Sequence, residues 1–135
     1  MHPASFSATI IAVEPAAVAA FYRTHFDLEE TMNLGWFVSL RRADADWELC
    51  VWDSAHESVP PGIRPGSGVV LAFITDDATA AAKRLEDAGV PIVAPLVDEP
   101  WGQRHIYVHD PAGTVVDVVE FTTPDPAWLA ANGLG

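Results

Sequence analysis

Basic residues are scarce in this chain, which has seven Lys and Arg against nineteen Asp and Glu and a formal net charge of −12. Nucleic acids and anionic lipid surfaces are bound through clusters of Lys and Arg. The composition therefore argues against both as partners. The same negative field would attract a cationic small molecule, although an acidic surface can also serve only to keep a protein in solution.

Cysteine and long apolar runs are also nearly absent. Cys50 is the only cysteine, so the chain cannot form an internal disulfide, which suits a reducing compartment. No apolar run approaches the roughly 18 residues that cross a bilayer. Residues 1–5 (MHPAS) lack the basic and apolar regions of a secretion signal. We therefore expect a cytoplasmic protein with no membrane partner.

The first half of the chain predicts one strand, one helix and two further strands. Residues 6–13 (FSATIIAV) are β-branched and apolar, as in a buried strand, and Pro15 suits the first turn of a helix. The apolar positions of that helix predict one buried stripe, made of Val18, Phe21, Tyr22 and Phe26. Strands are predicted at residues 36–40 and 47–52, and the Pro- and Gly-rich residues 54–67 predict a linker.

The same order begins again after the linker. Residues 68–74 (GVVLAFI) predict a buried strand, and Asp76 or Asp77 predicts the cap of a helix that ends at Gly89. An edge strand and a hairpin with a turn at residues 110–113 are expected next. Their three strands are predicted at residues 91–97, 104–109 and 114–121.

Two tandem βαβββ units describe this order, at about residues 6–53 and 68–121. We predict an α+β fold in which the units form a cupped mixed sheet with helices on the outer face. Half of the 135 residues are hydrophobic, which fits a single domain over residues 1–135. A short terminal helix is expected at residues 125–132.

Three local motifs resemble those of the vicinal oxygen chelate superfamily, which contains glyoxalases, ring-cleaving dioxygenases and bleomycin-resistance proteins. They are residues 20–23 (AFYR), residues 100–104 (PWGQR), and residues 110–114 (DPAGT) followed by Asp117 and Glu120. The resemblance covers nearly the whole chain. It implies the tandem βαβββ fold, and it also implies a homodimer, since members of this size commonly build their binding sites across subunits.

Metal enzymes of this family hold a divalent ion with four side chains, usually His or Glu, one on the first and one on the last strand of each unit. At the corresponding positions this chain has Ser7 or Ala8, Glu48, Val70 and Asp117. Two carboxylates without an imidazole make a weak site for a transition metal. We therefore expect neither a bound metal nor another cofactor.

The register of the predicted hairpin decides which face of the sheet the histidines near Asp117 occupy. If the turn is residues 110–113, position 106 pairs with Asp117, and alternation puts His105 and His109 on the opposite face. A bulge of one residue would reverse that placement and bring both histidines to the carboxylate.

Five tryptophans in a chain of this length are a high number. Alternation along the strand places Cys50 and Trp52 on the face of Glu48, and alignment of the two units adds Trp36 and Val38 to that face. An aromatic wall with a few carboxylates suits a flat or cationic ligand. The resemblance places Trp101 at the border of the binding site.

The candidate ligand-binding residues are Trp36, Glu48, Cys50, Trp52, Trp101, Arg104 and Asp117. Asp117 is expected to face a wet cavity or to pair with a cation, and Arg104, expected on the same face, is the candidate for that partner. Trp47 and Trp128 are expected in the core. No residue is assigned a catalytic role, because the chain has no glycine-rich phosphate loop, Ser–His–Asp signature or zinc-ligand spacing.

The pattern is most similar to the metal-free, bleomycin-resistance-like branch of the family. It predicts metal-independent binding or sequestration of a small aromatic or cationic molecule, as in antibiotic resistance. The alternative is an enzyme, a glyoxalase-like lyase, isomerase or dioxygenase with an atypical metal site. A third hypothesis is an accessory protein that carries or protects a metabolite, so whether the chain catalyses a reaction stays open.

Overall fold

The computed structural model describes residues 1–135 and divides into two compact units. The first consists of Met1–Val69 together with Asp110–Thr114, and the second of Val70–His109 together with Val115–Gly135. Each unit carries a strand, a helix and three further strands in that order. The α+β class and the tandem βαβββ order are therefore confirmed. No helix is long and apolar enough to cross a membrane.

The first unit contains one helix and a four-stranded mixed sheet. Its elements are β1 (Ser7–Ala12), α1 (Pro15–Phe26), β2 (Glu29–Asn33), β3 (Phe37–Arg41) and β4 (Glu48–Asp53). The strand order is β1-β4-β3-β2, with β1 parallel to β4 and the other pairs antiparallel. Strand β2 is not predicted from the sequence, because all five of its residues are exposed and it has no apolar alternation.

The core of this unit lies between α1 and one face of the sheet. The helix starts at Pro15 and ends before Asp27, which has a left-handed φ of 54°. Its predicted stripe is buried at Val18, Phe21 and Tyr22 and half-buried at Phe26. The apolar sheet residues on the α1 side form the other half of this core; Ala8 is half-buried, and the buried ones are Ile10, Ala12, Val38, Leu40, Leu49 and Val51.

The first unit also includes the loop between two strands of the second, anchored through Asp110. One Asp110 carboxylate oxygen accepts hydrogen bonds from the backbone N–H groups of Ala112 and Thr114. The other accepts a 2.7 Å hydrogen bond from the Tyr22 hydroxyl. Tyr22 and Asp110 are both buried, and burial together with the Asp110 charge raises the pKa of the Tyr22 hydroxyl. The phenol therefore stays protonated and acts as a donor.

The second unit repeats this plan with a further helix. Its elements are β5 (Val70–Ile74), α2 (Ala78–Asp87), β6 (Ile92–Glu99), β7 (Gln103–His109), β8 (Val115–Phe121) and α3 (Pro126–Ala131). The strand order is β5-β8-β7-β6, so β6 is an edge strand as predicted. Asp77 caps α2 by accepting a hydrogen bond from the Ala80 N–H, and Gly89 follows the helix with a φ of 73°.

Two sequence-based expectations about the second unit are wrong. Strand β5 is not buried: Val70 is 55% exposed and Ile74 60% exposed. An apolar run does not reveal whether one face of a strand or both are covered. The hairpin loop is residues 110–114 and not 110–113, since His109 pairs with Val115. That extra residue changes which β7 side chains share a face with β8.

Candidate functional site

The face of the first sheet that points away from α1, here called the far face of unit 1, carries most of the predicted ligand-binding residues. The β3–β4 register pairs Phe37 with Trp52 and Ser39 with Cys50, and the β1–β4 register pairs Ser7 with Glu48. Paired residues in a sheet point to the same face. The predicted alignment of Glu48, Cys50 and Trp52 on one face is therefore present in the structure.

A short polar row crosses this face. The Cys50 thiol lies 3.3 Å from Glu48 Oε1, to which it donates, and 3.7 Å from the Ser39 hydroxyl. Cys50 and Ser39 are buried, whereas Glu48 is half-buried. Burial is the main reason that the pKa of Cys50 is raised, and the Glu48 carboxylate contributes. Because the thiolate is the nucleophilic form, this cysteine is an unreactive packing residue.

An aromatic cluster lies where β3 begins and β4 ends. The ring of Phe37 meets that of Trp52 edge to face with centroids 5.9 Å apart, and Trp36 lies 5.9 Å from Phe37. His56, in the turn after β4, stacks on Trp36 with centroids 3.7 Å apart and planes within 8°. The Trp52 indole N–H donates a 3.1 Å hydrogen bond to the hydroxyl of Ser58.

Trp36 reaches this cluster by a different route from the one predicted. The expectation that Val38 shares the face of Glu48 is wrong, because Val38 pairs with Val51 and both are buried on the α1 side. Trp36 precedes β3 and is not held by its alternation. Its carbonyl oxygen instead accepts a 2.7 Å hydrogen bond from the Asp53 N–H at the end of β4, which fixes it beside the aromatic rings.

In the second unit, a buried histidine joins two carboxylates. His105 is 2% exposed and its Nδ1 lies 2.9 Å from Asp117 Oδ1, while its Nε2 lies 3.3 Å from Glu99 Oε1. The predicted placement of His105 and His109 on the face opposite Asp117 is wrong. The five-residue loop pairs Tyr107 with Asp117, so His105, Tyr107 and His109 all share the Asp117 face.

Both contacts of His105 are hydrogen bonds only if the three groups hold two protons between them. Either the imidazole is doubly protonated, or it is neutral and one carboxyl carries the second proton. Burial raises the pKa of Asp117, while His105 opposes that shift. The phenol of Tyr107 lies near both carboxylates, and its pKa is raised by burial and by their charges. Glu99, His105 and Asp117 therefore form a largely buried cluster that shares protons on one face of the sheet.

Arg104 is not the partner of Asp117. Its guanidinium pairs with Asp98 at 2.7 Å and lies 3.8 Å from Glu120. The register pairs Arg104 with Glu120, which places it on the face opposite Asp117, where Glu120 also accepts a hydrogen bond from the Ala78 N–H of α2. Its role in the structure is to pair with acidic groups around that helix.

The remaining tryptophans occupy the surface of the molecule. Trp101 donates a 2.9 Å hydrogen bond to Gln103 and packs against Trp128, with ring centroids 5.9 Å apart. The expectation that Trp47 and Trp128 are core residues is wrong, since Trp47 is 37% exposed and Trp128 is half-buried on a helix without buried residues. Trp101 therefore packs on α3 at the surface of the second unit.

The residues do not fit the four-ligand metal site that the fold family would imply. Ser7 lies opposite Glu48, and Ala72 lies opposite Asp117, where Val70 was expected; Val70 pairs with Val115 instead. None of these three residues provides an imidazole or a carboxylate. The structure contains no group of three or more His, Cys, Asp or Glu side chains able to hold a metal ion. His105 cannot supply a free nitrogen, because a carboxylate oxygen lies at each of its ring nitrogens.

Sequence reasoning missed several members of both clusters. The placement of His105 and Tyr107 was missed because a one-residue error in loop length inverts the alternation. Glu99 was missed because β6 extends to Glu99, two residues beyond the predicted end of that strand. His56 and Ser58 lie in the turn after β4, and their contacts with Trp36 and Trp52 leave no periodic signal in the sequence. Phe37 was counted as an ordinary strand residue, although its pairing with Trp52 follows once the register is known.

Comparison with known structures identifies the same fold in several proteins. TnmS3, an antibiotic binding protein from Streptomyces sp. CB03234, is 22% identical with a TM-score of 0.74, covering 90% of this chain and 99% of that one. Lactoylglutathione lyase from Agrobacterium tumefaciens is 27% identical with a TM-score of 0.68, covering 87% and 94%. TioX from Micromonospora sp. ML1 is 18% identical with a TM-score of 0.69, covering 87% and 98%.

No curated protein sequence matches the chain significantly. A family description does match, over residues 6–118, and it is that of the Glyoxalase/Bleomycin resistance protein/Dioxygenase superfamily. This match covers both βαβββ units and includes the motifs at residues 20–23, 100–104 and 110–114. The chain therefore belongs to the glyoxalase/bleomycin resistance protein/dioxygenase superfamily.

Proposed function

We propose that this protein binds and sequesters a small aromatic or cationic molecule, without a metal ion, on the far face of unit 1. The observation that carries the proposal is the aromatic cluster of Trp36, Phe37 and Trp52, on the same sheet as the Glu48–Cys50 row. The cluster supplies flat apolar surface, and Glu48 supplies negative charge. A planar cation would use both.

The energetics favour such a ligand over an anionic one. Stacking between aromatic rings adds about 0.5–1.5 kcal/mol beyond the area that is buried, and a cation over a Trp face gains a similar amount. The net charge of −12 raises the local concentration of cations around the protein and lowers that of anions. An antibiotic with a planar ring system and an amino group matches this chemistry.

The relatives support this class of ligand without defining it. TnmS3 is described as an antibiotic binding protein, and it shares the fold of this chain at an identity that carries no residue-level argument. The metal independence of binding rests on this chain's own residues, since the positions opposite Glu48 and Asp117 hold Ser7 and Ala72. An accessory protein that carries or protects a metabolite would use the same surface.

Calorimetric titration with planar cationic antibiotics tests the proposal, using doxorubicin as the first probe and EDTA in every buffer. Trp52→Ala should weaken binding by about tenfold, the loss of one ring contact. Trp128→Ala is the matched control, because Trp128 belongs to α3 in the second unit, and it should leave affinity unchanged. Binding that requires added metal, or that is insensitive to Trp52, would contradict the proposal.

The second candidate is an enzyme, a glyoxalase-like lyase or isomerase or a dioxygenase with an atypical metal site. The Glu99–His105–Asp117 cluster favours it, because buried acid–base groups concentrate at functional sites. Lactoylglutathione lyase shares the fold at 27% identity. Metal analysis of untagged protein purified without chelators, followed by titration with Ni²⁺, Zn²⁺, Mn²⁺ and Fe²⁺, separates the candidates. Close to one ion per chain would favour the enzyme.

A homodimer is proposed as the working assembly. Apolar side chains are exposed next to and along the edge strands β1 and β5, including Phe6 at 83% exposure and Val70 and Ile74. Exposed apolar surface of this kind marks sites of association. Light scattering coupled to gel filtration should give twice the chain mass of 14.5 kDa. The cytoplasmic location expected from the single cysteine also remains part of the proposal.

A further inference from the structure

His56 already makes the contacts that an aromatic ligand would make with Trp36. Its imidazole lies parallel to the indole, with centroids 3.7 Å apart and an angle of 8° between the planes. That is the stacking distance of two flat rings with no atom between them. The stacked face of Trp36 is therefore occupied by a side chain of the same molecule, while both residues remain half-buried.

The edge of the imidazole is held by a short chain of hydrogen bonds. The backbone N–H of Ser58 donates to His56 Nδ1 at 3.2 Å, so Nδ1 is an acceptor in this arrangement. The Ser58 hydroxyl lies 2.7 Å from the same nitrogen and donates to it, while its oxygen accepts the Trp52 indole N–H at 3.1 Å. Trp52, Ser58 and His56 thus form one donor chain that ends on a ring nitrogen.

The turn that carries His56 is held by short-range hydrogen bonds and by one bond to β1, which the Ser54 N–H donates to the Ala12 carbonyl. The Ala55 N–H donates to the Asp53 side chain, the His56 N–H donates to the Asp53 carbonyl, and the Val59 N–H donates to the His56 carbonyl. The imidazole stacks on Trp36, and both of its hydrogen bonds are with Ser58. Rotation of the His56 side chain would therefore uncover Trp36 and release the Ser58 hydroxyl without breaking the sheet.

We propose that His56 occupies the place of a ligand ring, and that the molecule bound here carries a planar nitrogen heterocycle that displaces the imidazole. The incoming ring stacks on Trp36, and its unprotonated nitrogen takes the hydrogen bond from Ser58. This inference rests on the proposed function and specifies its ligand class. His56 then lowers the apparent affinity, because only the fraction of molecules with Trp36 uncovered can bind.

Calorimetry with isoquinoline as the probe, and with naphthalene as its neutral counterpart without the ring nitrogen, tests the displacement. His56→Ala should bind isoquinoline about tenfold more tightly than the wild type, the combined worth of one stack and one hydrogen bond. His56→Phe keeps a ring on Trp36 and should show no such gain. His2→Ala removes a histidine from the exposed terminus and should behave as wild type. Isoquinoline should bind more tightly than naphthalene, which has the same shape and the same charge but no acceptor nitrogen.

Proton NMR of the His56 ring gives an independent readout. The ring protons should resonate upfield in the free protein because of the Trp36 ring current, and should move towards their unstacked positions when isoquinoline saturates the site. Weaker binding by His56→Ala, or His56 resonances that do not move on saturation, would overturn the displacement and leave the proposed function standing. If neither isoquinoline nor doxorubicin binds wild type or His56→Ala, the proposed function fails and the displacement fails with it.

Discussion

His105 and Asp117 form a buried hydrogen bond across strands β7 and β8, with Nδ1 and Oδ1 2.9 Å apart. They are not directly opposite in the sheet, since Asp117 pairs with Tyr107 and His105 pairs with Val119. The contact is a diagonal one on a single face. It is the only side-chain hydrogen bond of Asp117, which is 9% exposed. Each residue therefore offsets the free-energy cost of burying the other.

Removing the histidine should destabilise the protein through the carboxylate that it leaves behind. His105→Ala deprives buried Asp117 of its partner, and breaking a buried pair in this way costs about 3 kcal/mol. The double variant His105→Ala/Asp117→Ala removes both partners and should cost less than the sum of the two single variants. Urea unfolding of all four proteins measures the coupling. Strictly additive losses would show that the contact contributes no stability.

The raised pKa of Asp117 predicts a definite pH dependence. Its carboxyl binds a proton more tightly in the folded state than in the unfolded state, because burial raises its pKa above the ordinary 3.8. The stability that this extra proton affinity contributes is present at low pH. It is lost as the pH rises from about 3.8 through the raised pKa. The unfolding free energy of wild type minus that of Asp117→Asn should therefore fall across this window.

Asp98 provides the control of opposite sign. The hydrogen bond with Arg104 holds the pKa of Asp98 below 3.8, so its contribution to stability is present above that pH and is lost as the pH falls. The difference between wild type and Asp98→Asn should therefore rise with pH. Urea unfolding between the acid limit of the fold and neutral pH gives both slopes. Slopes of the same sign would contradict the assignment of burial as the cause at Asp117.

Alternation within a strand was enough to predict one part of the candidate site. Glu48, Cys50 and Trp52 lie on one strand, and the period of two puts them on one face whatever the strand pairs with. Trp36 was assigned by alignment of the two units and not by its own strand. The structure places it before β3, where a hydrogen bond from Asp53 holds it. The sequence could not reveal that backbone contact.

Relations between strands depended on loop geometry that the sequence left ambiguous. A four-residue turn and a five-residue loop both fit residues 110–114, and they differ by one residue in register. That single residue moved His105 from the opposite face to the face of Asp117, and moved Arg104 away from it. The exposure of Val70 and Ile74 was hidden for a different reason, since an apolar strand looks the same whether one or both of its faces are covered.

The hydrogen bond between Tyr22 and Asp110 should contribute measurably to stability. Tyr22→Phe removes the 2.7 Å bond to a buried carboxylate, and bonds to charged groups contribute about 2 kcal/mol. Asp110 keeps its two backbone donors, so the loss should not be larger. Tyr107→Phe is the matched control, because that hydroxyl makes no hydrogen bond in the structure and its ring is half-buried. Equal unfolding free energies for the two variants would contradict this role of Tyr22.

The glycine of the PWGQR motif should be required by its surroundings as well as by its backbone. Gly102 has a φ of 100°, and a Cβ added there would lie 2.8 Å from the Thr122 carbonyl oxygen and from a Pro124 carbon. Gly35 also has a positive φ, of 83°, but a Cβ there would meet nothing within 4 Å. Gly35→Ala therefore isolates the cost of the left-handed backbone, which is about 1 kcal/mol.

Gly102→Ala should lower the unfolding free energy by about 3 kcal/mol. This total combines the cost of the left-handed backbone with a penalty for overpacking. The backbone contact can be relieved only by moving the segment after β8, because the Gly102 carbonyl also accepts a 2.8 Å hydrogen bond from the Thr122 N–H. Urea unfolding of the two alanine variants measures the difference. Equal losses of stability in Gly102→Ala and Gly35→Ala would mean that Thr122 and Pro124 can move away from the added Cβ without cost. The motif would then need its glycine only for the backbone conformation.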